Sequence, residues 1–600
     1  MLEVLYTMSK SPSSLLPYRR AIPQILIYQF FSAGILSIVM LLYRQLTGWI
    51  LWNIDRPAFT SGDLPYLLKT WQGWMLIILG FLALVIYTVF DINATILLSD
   101  KVLKGEKFHV PSLLRDAVAS LNCFRGLRGV LVILYVSLAA PLAGSVFGIT
   151  LTSNFTIPNF IMSVIKGNAL YYGLYIVGII ILSLCGLIYV FTFDFAILGK
   201  QKMKQAMGSS RIVMKENWKN FLIQYIVFIL KWLIPLILCI TILYIAPCIL
   251  MQMIPLKSDT HHAGIIFFST VTALGLAFYV ILFDYFIQMK LTQLYYAYTN
   301  RQVLYRLPAK KSHHGLRILL TLLIIFIGIV SYAASLDFDT YFPKKVLTKT
   351  IAHRAGGILA NENTVLALNA AVRAKANGAE VDVQRTKDGH YIINHDSTFK
   401  RVCGDPRTSG EMTLAEIKKL KVHNLVNPLQ PDTEVATMEE MLDAAKGKIQ
   451  LYIELKGKSA DFAMAEDVIK MAKERDMMNE VTLISLDYDL IDTIESEYPD
   501  VRTGYLCYFS FGSIQNLNCD AVLMEEEVAT SANIDRIHKA GKEAGVWTVN
   551  TTTSMSNFLS SDVDWVITDE VSMASTIRRL IETDSDESRV LTTIIRLING

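Results

Sequence analysis

Hydrophobic residues are unevenly distributed along this chain of 600 residues. Residues 22–336 contain long apolar runs, whereas residues 345–600 mix polar and apolar positions as soluble domains do. Each run is long enough to cross, as a helix, the roughly 30 Å hydrocarbon core of a bilayer. Seven runs are found, near residues 22–43, 71–92, 129–152, 168–193, 224–250, 264–288 and 318–336. The first half is therefore predicted to be a multi-pass α-helical membrane domain, which excludes a wholly cytosolic protein.

Basic residues in the loops between these runs predict the orientation of the membrane domain. The N-terminal segment and the loops after the second, fourth and sixth runs hold 21 Lys and Arg residues, against five in the other loops. Because basic loops stay in the cytoplasm, the N-terminus is predicted to be cytoplasmic. Seven crossings then place the second half of the chain outside the cell membrane. The net charge of only +3 indicates no nucleic-acid partner.

A Phe-Asp pair recurs at the ends of the second, fourth and sixth runs, which indicates a weak internal repeat of two-helix units. The aspartates are Asp91, Asp194 and Asp284. One interpretation makes them an ion or substrate path, because ionisable groups inside membranes are costly and often functional. The other makes them anchors at helix ends near the cytoplasmic face. The second is favoured by the sequence, since each aspartate lies near the end of a run.

Short strands alternate with helical stretches in the second half, which predicts an α/β fold. Asp388-Gly389 precedes an extended segment, 390–395, and is typical of a tight hairpin. With that segment folded back, eight strands followed by helices match a TIM barrel, with an insertion at 397–436. The predicted strands are 348–353, 379–385, 449–455, 481–486, 501–506, 520–524, 546–550 and 564–568. The predicted domains are a membrane domain at 1–336, a linker at 337–347, the barrel at 348–585 and a tail at 586–600.

Acidic residues near the ends of two predicted strands indicate a metal site. Glu380 and Asp382 are two positions apart on a strand, so both side chains point the same way, and Glu454 and Lys456 repeat that spacing on another strand. Three converging carboxylates repel one another unless a cation lies among them. All-oxygen ligands suit Ca²⁺ or Mg²⁺. Lys456 is not a ligand, and it suits a phosphate oxygen.

Two histidines supply candidate proton carriers. His353 ends the first predicted strand and His395 ends the hairpin, and imidazole titrates near neutral pH. Arg354 can hold a phosphate through two parallel hydrogen bonds. A metal, two histidines and two cations together are suited to cleaving a phosphodiester. Each residue alone is more often structural, and the hypothesis depends on the set being complete and in barrel order.

These residues resemble a known family, the glycerophosphodiester phosphodiesterases. The resemblance covers about residues 348–582, and the membrane half is similar to the multi-pass domain of some bacterial members. It is carried by His353-Arg354-Ala355-Gly356-Gly357, Glu362-Asn363-Thr364, Glu380-Val381-Asp382, His395-Asp396, Glu454-Leu455-Lys456, Trp547-Thr548-Val549-Asn550 and Ile567-Thr568-Asp569.

The resemblance implies a hydrolase that converts glycerophosphodiesters to sn-glycerol 3-phosphate and an alcohol. It implies that His353 and His395 act as general acid and base, and it leaves open whether a cyclic phosphate forms before water attacks. Trp547 either presents its ring to the glycerol carbons or simply packs. The implied metal ligands are Glu380, Asp382 and Glu454, and the implied phosphate-binding residues are Arg354 and Lys456.

The sequence thus predicts a phosphodiesterase tethered at the outer face of the membrane. Residues 337–346 span at most about 35 Å, which keeps the barrel near the lipid surface. The expected substrates are deacylated phospholipids or glycerophosphate polymers, with membrane lipid as the other partner. One alternative is a transporter or sensor that uses the barrel as a binding module. Another is a phosphodiesterase of the phospholipase C or D type, which product analysis would distinguish.

Overall fold

The computed structural model describes residues 16–54, 56–61, 64–106, 109–124, 126–132, 135, 157, 159–254, 256–299, 314–342, 348–582 and 585–599. The chain forms two compact units. The first consists of residues 1–45, 75–157 and 161–342. The second consists of residues 343–600 together with residues 46–74 and 158–160.

Helices make up almost all of the described part of the N-terminal half. Within that part, six helical stretches are long and apolar enough to cross a membrane, as six of the seven predicted runs require. These stretches are Ala21–Asn53, Trp71–Lys104, Ala169–Ile197, Met203–Met253, Ser258–Tyr298 and Arg317–Ser335. The predicted run at 129–152 lies mostly outside the described residues. Shorter helices are Leu64–Lys69, Val110–Ser120, Asn159–Gly167 and Phe338–Tyr341.

Aromatic side chains form much of the packing inside the first unit. Trp232 stacks on Phe286 with ring centroids 4.6 Å apart, and Tyr18 meets Phe286 edge to face at 5.5 Å. The Tyr18 hydroxyl donates a 2.8 Å hydrogen bond to Gln293. Buried polar groups of this kind need partners because a bilayer offers them no water.

The second unit is built on a closed barrel of eight parallel strands, as predicted. In chain order the strands of the unit are β1 (Ala58–Thr60), β2 (Lys349–Ala352), β3 (Gly378–Arg385), β4 (Tyr391–Ile393), β5 (Lys421–Val422), β6 (Thr433–Glu434), β7 (Gln450–Leu455), β8 (Val481–Ser485), β9 (Thr503–Cys507), β10 (Ser510–Gly512), β11 (Ala521–Glu525), β12 (Glu543–Trp547) and β13 (Trp565–Thr568). The barrel order is β2-β3-β7-β8-β9-β11-β12-β13, and β13 pairs with β2 to close it. β4 pairs antiparallel with β3, which confirms the predicted hairpin.

Helices surround the barrel and begin at capping side chains. The Thr437 side chain, for example, accepts from the backbone of Glu440, and the Glu440 side chain accepts from the backbone of Thr437. These helices are Val365–Arg373, Met438–Ala445, Phe462–Glu474, Tyr488–Glu497, Ser531–Lys539, Thr552–Leu559 and Val571–Glu582, and the tail forms a further helix, Asp586–Asn599. One apolar cluster fills the barrel interior around Tyr452, Leu523 and Trp565, and a larger one lies between strands and helices.

One expected helix is absent from the described barrel. Between β9 and β11 the chain forms only β10 and a single turn, Ile514–Asn516, so the prediction of eight strand–helix units is wrong at this position. The reason is that Gly512 has a φ of +115°, outside the helical region, and that residues 510–512 are extended against β1. Strand β1 takes part of this space by pairing antiparallel with β10, and the Tyr505 hydroxyl donates to Thr60 Oγ1 at 2.6 Å.

Candidate active site

Three carboxylates meet at the carboxyl ends of β3 and β7. Glu380 and Asp382 alternate with apolar residues along β3, and the parallel register sets Asp382 beside Glu454 on β7. Their exposed fractions are only 2%, 0% and 7%. One oxygen atom from each of the three lies within 4.8 Å of the others. The three carboxylates therefore converge in the structure, as the spacing of the acids along the strands predicts.

The cluster has the properties of a site for a hard divalent cation. Glu380 Oε2 accepts from the backbone N–H of Arg354 at 2.8 Å, while Glu380 Oε1 is buried without a hydrogen-bond partner in the described chain. Burial and the charge of Asp382 raise the pKa of Glu380, and burial raises the pKa of Glu454. Both acids thus lack sufficient positive charge around them. The residues fit Mg²⁺ or Ca²⁺, which prefer carboxylate oxygen ligands.

Lys456 supplies part of the missing positive charge. Its Nζ donates 2.9 Å hydrogen bonds to Asp382 and to Glu454. Burial by itself raises the pKa of Asp382, but Lys456, with the more distant His395 and Arg354, holds that pKa well below its usual range. Asn363 also donates to Asp382, at 2.7 Å. Asp382 is therefore the acid that stays ionised.

His353 follows β2 directly, and its imidazole is held in one orientation. Its Nδ1 lies 2.8 Å from Asp569 Oδ1, and its Nε2 lies 4.0 Å from Glu380 Oε2. Asp569 in turn accepts a 2.6 Å hydrogen bond from Asn550, on the loop after β12. Burial lowers the pKa of His353, but the carboxylates of Asp569 and Glu380 outweigh burial and raise it overall. The Nδ1–H is therefore the donor to Asp569, and Nε2 is the ring nitrogen that faces Glu380.

His395 follows the hairpin strand β4 and is oriented by a second carboxylate. Its Nδ1 lies 2.8 Å from Asp396 Oδ1, and Asp396 also accepts from Arg401. Gln384 on β3 donates to the backbone oxygens of Asn394 and Asp396 at 2.7 and 2.8 Å, which fixes this loop to the barrel. Burial lowers the pKa of His395. The pKa values of the two imidazoles are thus shifted in opposite directions.

Arg354 and Trp547 have partners that the sequence did not indicate. The Arg354 guanidinium donates to both oxygens of Glu362 at 3.2 and 3.3 Å, and Arg401 binds the same carboxylate. Arg354 Nε is buried without a partner in the described residues. Trp547 ends β12, and its Nε1 donates to the backbone oxygen of Leu523 at 2.9 Å.

Three residues of the site were not predicted to have a role: Asp569, Asn550 and Arg401. Asp569 and Asn550 stand within segments that carry the family resemblance, but only the fold reveals that they form a chain of hydrogen bonds to His353. Arg401 lies in the insertion and joins Glu362 to Asp396, so the turn after β2 and the loop after β4 share one ion-pair network. An exposed arginine in a long loop carries no such signal in the sequence.

Fold and site together define the class: a TIM barrel with acidic, histidine and basic side chains gathered near the carboxyl ends of its strands. The model of the glycerophosphoryl diester phosphodiesterase family matches residues 353–573. The model of the membrane domain of glycerophosphoryl diester phosphodiesterase matches residues 15–332, more than half of the chain. The chain belongs to the glycerophosphoryl diester phosphodiesterase family. It is a membrane protein and a phosphoric diester hydrolase that acts on glycerophosphodiesters.

Individual relatives match part of the chain. A glycerophosphodiester phosphodiesterase of Caldanaerobacter subterraneus subsp. tengcongensis is 29% identical over 235 residues, which are 37% of this chain and 94% of that protein. One of Bacillus subtilis is 29% identical over 173 residues, 27% of this chain and 58% of that protein. A solved phosphodiesterase of Oleispira antarctica, in complex with the product sn-glycerol-3-phosphate, is 21% identical with a TM-score of 0.36 and covers 38% of this chain and 96% of that one.

Proposed function

We propose that this enzyme cleaves glycerophosphodiesters to sn-glycerol 3-phosphate and an alcohol with the help of one divalent cation held by Glu380, Asp382 and Glu454. The observation that carries the proposal is the convergence of these three buried carboxylates, with one oxygen of Glu380 unpartnered in the described chain. When bound, the cation supplies Lewis-acid stabilisation of charge on the phosphate. Mg²⁺ and Ca²⁺ are the ions that this oxygen donor set suits.

The two histidines are proposed as the general acid and general base. Each imidazole has a carboxylate at Nδ1, Asp569 for His353 and Asp396 for His395. This arrangement fixes the tautomer and leaves Nε2 to hold or move a proton. One imidazole takes the proton of the attacking oxygen, either a glycerol hydroxyl or water, and the other gives a proton to the oxygen of the departing alcohol; if a cyclic phosphate forms, water then opens it.

Arg354 and Lys456 are proposed to bind the phosphate. Lys456 already bridges Asp382 and Glu454, so a phosphate oxygen at the cluster lies within reach of its ammonium group. Arg354 has a buried Nε without a partner in the described chain, and an incoming phosphate oxygen would satisfy it. Trp547 is proposed to contact the glycerol carbons.

Substrates are proposed to come from the outer face of the membrane, as deacylated phospholipids or glycerophosphate polymers. Strand β1 belongs to the loop after the first span, and it pairs with β10 of the barrel. Paired strands lie on the same side of a membrane, so an even number of crossings separates residue 60 from residue 349. Together with a cytoplasmic N-terminus, this parity supports seven crossings and an external barrel.

Activity of substituted full-length enzyme tests the chemical part of the proposal. Release of glycerol 3-phosphate from glycerophosphoethanolamine is measured for Glu380→Gln, His395→Ala and, as a control, Glu434→Gln, which changes an exposed carboxylate on β6. We expect the first two to lose at least a hundredfold in kcat and the control to keep its rate. Wild-type rates in both site variants would overturn the assignment.

Protease treatment of intact cells tests the orientation. We expect residues beyond 345 to be digested without permeabilisation. Protection of the barrel in intact cells, followed by digestion in permeabilised cells, would place the active site in the cytoplasm and contradict the proposal.

A further inference from the structure

The membrane unit contains a partly open cavity that has no part in the barrel's chemistry. Its volume is about 720 Å³, within the range of small-molecule sites, roughly 300–1,000 Å³. Its lining comes from five of the long helices and from the described residues at 128–135. A cavity of this size inside a helical membrane domain is more than an anchor requires.

Charged groups of both signs line this cavity. Asp91 and Asp284 supply carboxylates, and Arg128, Lys204 and Arg211 supply cations. Lys204 and Arg211 are seven positions apart on the helix Met203–Ile240, so they share one face of it. The cations belong to segments that the basic-residue count assigns to the cytoplasmic side, whereas Asp91 and Asp284 lie on long apolar helices, where carboxylates are costly and are kept for function.

Two of the three Phe-Asp repeats therefore meet at one cavity, contrary to the helix-end anchors that the sequence favours. The third aspartate, Asp194, is fully buried, accepts a 3.2 Å hydrogen bond from Thr292 and is not among the described lining residues. Asp91 Oδ1 accepts from Tyr28 at 2.7 Å and from Ser32 at 3.0 Å. Two hydrogen bonds thus hold the carboxylate of Asp91 in place at the cavity wall.

The remaining charges have no ion-pair partner among the described residues. In the part of the chain that the structure describes, the side chains of Asp284, Arg128, Lys204 and Arg211 form neither an ion pair nor a hydrogen bond. Two guanidinium groups and an ammonium suit a phosphate, which accepts paired hydrogen bonds from arginine. The free carboxylate and tyrosine rings on the wall suit an amine or ammonium group. A ligand that satisfies both the cations and the carboxylates carries a phosphate and an amine, and it is therefore zwitterionic.

We propose that this cavity binds a phosphodiester that carries an amine, with the phosphate at Arg128, Lys204 and Arg211 and the amine at Asp91 and Asp284. Two sources supply this chemistry: the headgroup of a zwitterionic phospholipid, and a soluble glycerophosphodiester such as glycerophosphoethanolamine. The membrane unit is then a ligand-binding domain as well as an anchor.

The test uses the full-length protein in nanodiscs of phosphatidylglycerol, which lacks an amine, with Glu380→Gln added so that a diester bound at the barrel persists. In one arm glycerophosphoethanolamine is titrated and the equivalents bound per chain are counted by calorimetry. In the other arm a small fraction of phosphatidylethanolamine is added, and retained lipid is counted by native mass spectrometry. The two arms distinguish the soluble source from the lipid source.

Asp284→Asn and Arg211→Gln, singly and together, are the variants, and Lys215→Gln and Asp259→Asn are matched controls outside the lining. We expect one ligand molecule bound per chain at the cavity in at least one arm. Each variant should weaken the binding of this ligand at least tenfold, and the controls should leave it unchanged. With Glu380 restored, the variants should still release glycerol 3-phosphate, which shows that they fold. A failure of the cavity proposal therefore remains separate from a failure of the barrel proposal.

Two results would overturn the cavity proposal. The first is that neither arm detects a bound ligand molecule beyond the one at the barrel. The second is a second equivalent that neither Asp284→Asn nor Arg211→Gln weakens.

Discussion

Replacing Asp569 by asparagine tests the proposed role of His353 at a single atom. Asp569 Oδ1 lies 2.8 Å from His353 Nδ1, and Asp569 Oδ2 accepts a 2.6 Å hydrogen bond from Asn550 Nδ2. The orientation of Asn550 is fixed, because its oxygen accepts from the backbone N–H of Asp569 at 2.9 Å. In Asp569→Asn the new amide must therefore turn its oxygen toward Asn550 and its NH₂ toward His353.

That orientation reverses the tautomer of His353. An NH₂ group facing Nδ1 makes Nδ1 an acceptor, so the ring proton moves to Nε2, the atom proposed to exchange protons with substrate. A general acid or base contributes about 10²–10⁴ in rate. The loss predicted for kcat is therefore about 10²–10⁴, or about 3–5 kcal/mol of barrier at about 1.4 kcal/mol for each tenfold change. KM should change little, because Asp569 is not proposed to touch substrate.

A reciprocal exchange provides the sharpest control for this reasoning. In the double variant Asn550→Asp/Asp569→Asn, the NH₂ of residue 569 donates to the new carboxylate, and its oxygen again accepts from His353 Nδ1. The normal tautomer returns without a carboxylate against the ring. We expect steady-state release of glycerol 3-phosphate to recover at least tenfold over Asp569→Asn. A single variant within threefold of wild type, or a folded double variant as slow as Asp569→Asn, would refute the tautomer argument.

Three further perturbations have defined outcomes. Lys456→Met leaves the buried carboxylates of Asp382 and Glu454 without their cation. The free energy of unfolding in metal-free buffer should fall by about 3–5 kcal/mol, which is measured as a lower melting temperature. An unchanged melting temperature would contradict the pairing. Thr60→Val removes the buried hydroxyl that accepts from Tyr505 and should cost about 1–3 kcal/mol by the same assay. The exposed control Thr576→Val should cost under about 0.5 kcal/mol. Gly512→Ala adds a Cβ to a residue whose φ is +115° and places it 2.9 Å from the Pro57 oxygen. We expect strand β1 to become more sensitive to proteolysis. Unchanged cleavage would refute the contact.

Local patterns predicted most of the barrel because strand alternation and turn residues act over short distances. Seven of the eight barrel strands lie within about two residues of their predicted bounds. Strand β12 begins at Glu543 and ends at Trp547, whereas 546–550 was predicted. The apolar residue Val549 continues the strand-like pattern beyond the end of β12, and its backbone N–H still donates to the Ile567 oxygen on β13 at 3.0 Å.

Contacts between distant segments could not be predicted in this way. Strand β1 and its partner β10 are more than 400 residues apart, and nothing in the short sequence of either indicates the other. The His353–Asp569 pair joins the two ends of the barrel for the same reason, since β13 closes against β2. The acidic cluster was easier to predict, because the spacing of two on a strand already directs Glu380 and Asp382 to one side.

The most direct test of the central claim is a count of divalent ions bound to the full-length enzyme. Metal-stripped protein is equilibrated with Mg²⁺ or Ca²⁺, the ions per chain are measured by elemental analysis, and glycerol 3-phosphate release is followed in the same samples. We expect one tightly bound ion that restores activity, and loss of both the ion and the activity in Glu380→Gln and Glu454→Gln. Full activity in stripped protein, or an ion that both substitutions leave in place, would contradict it.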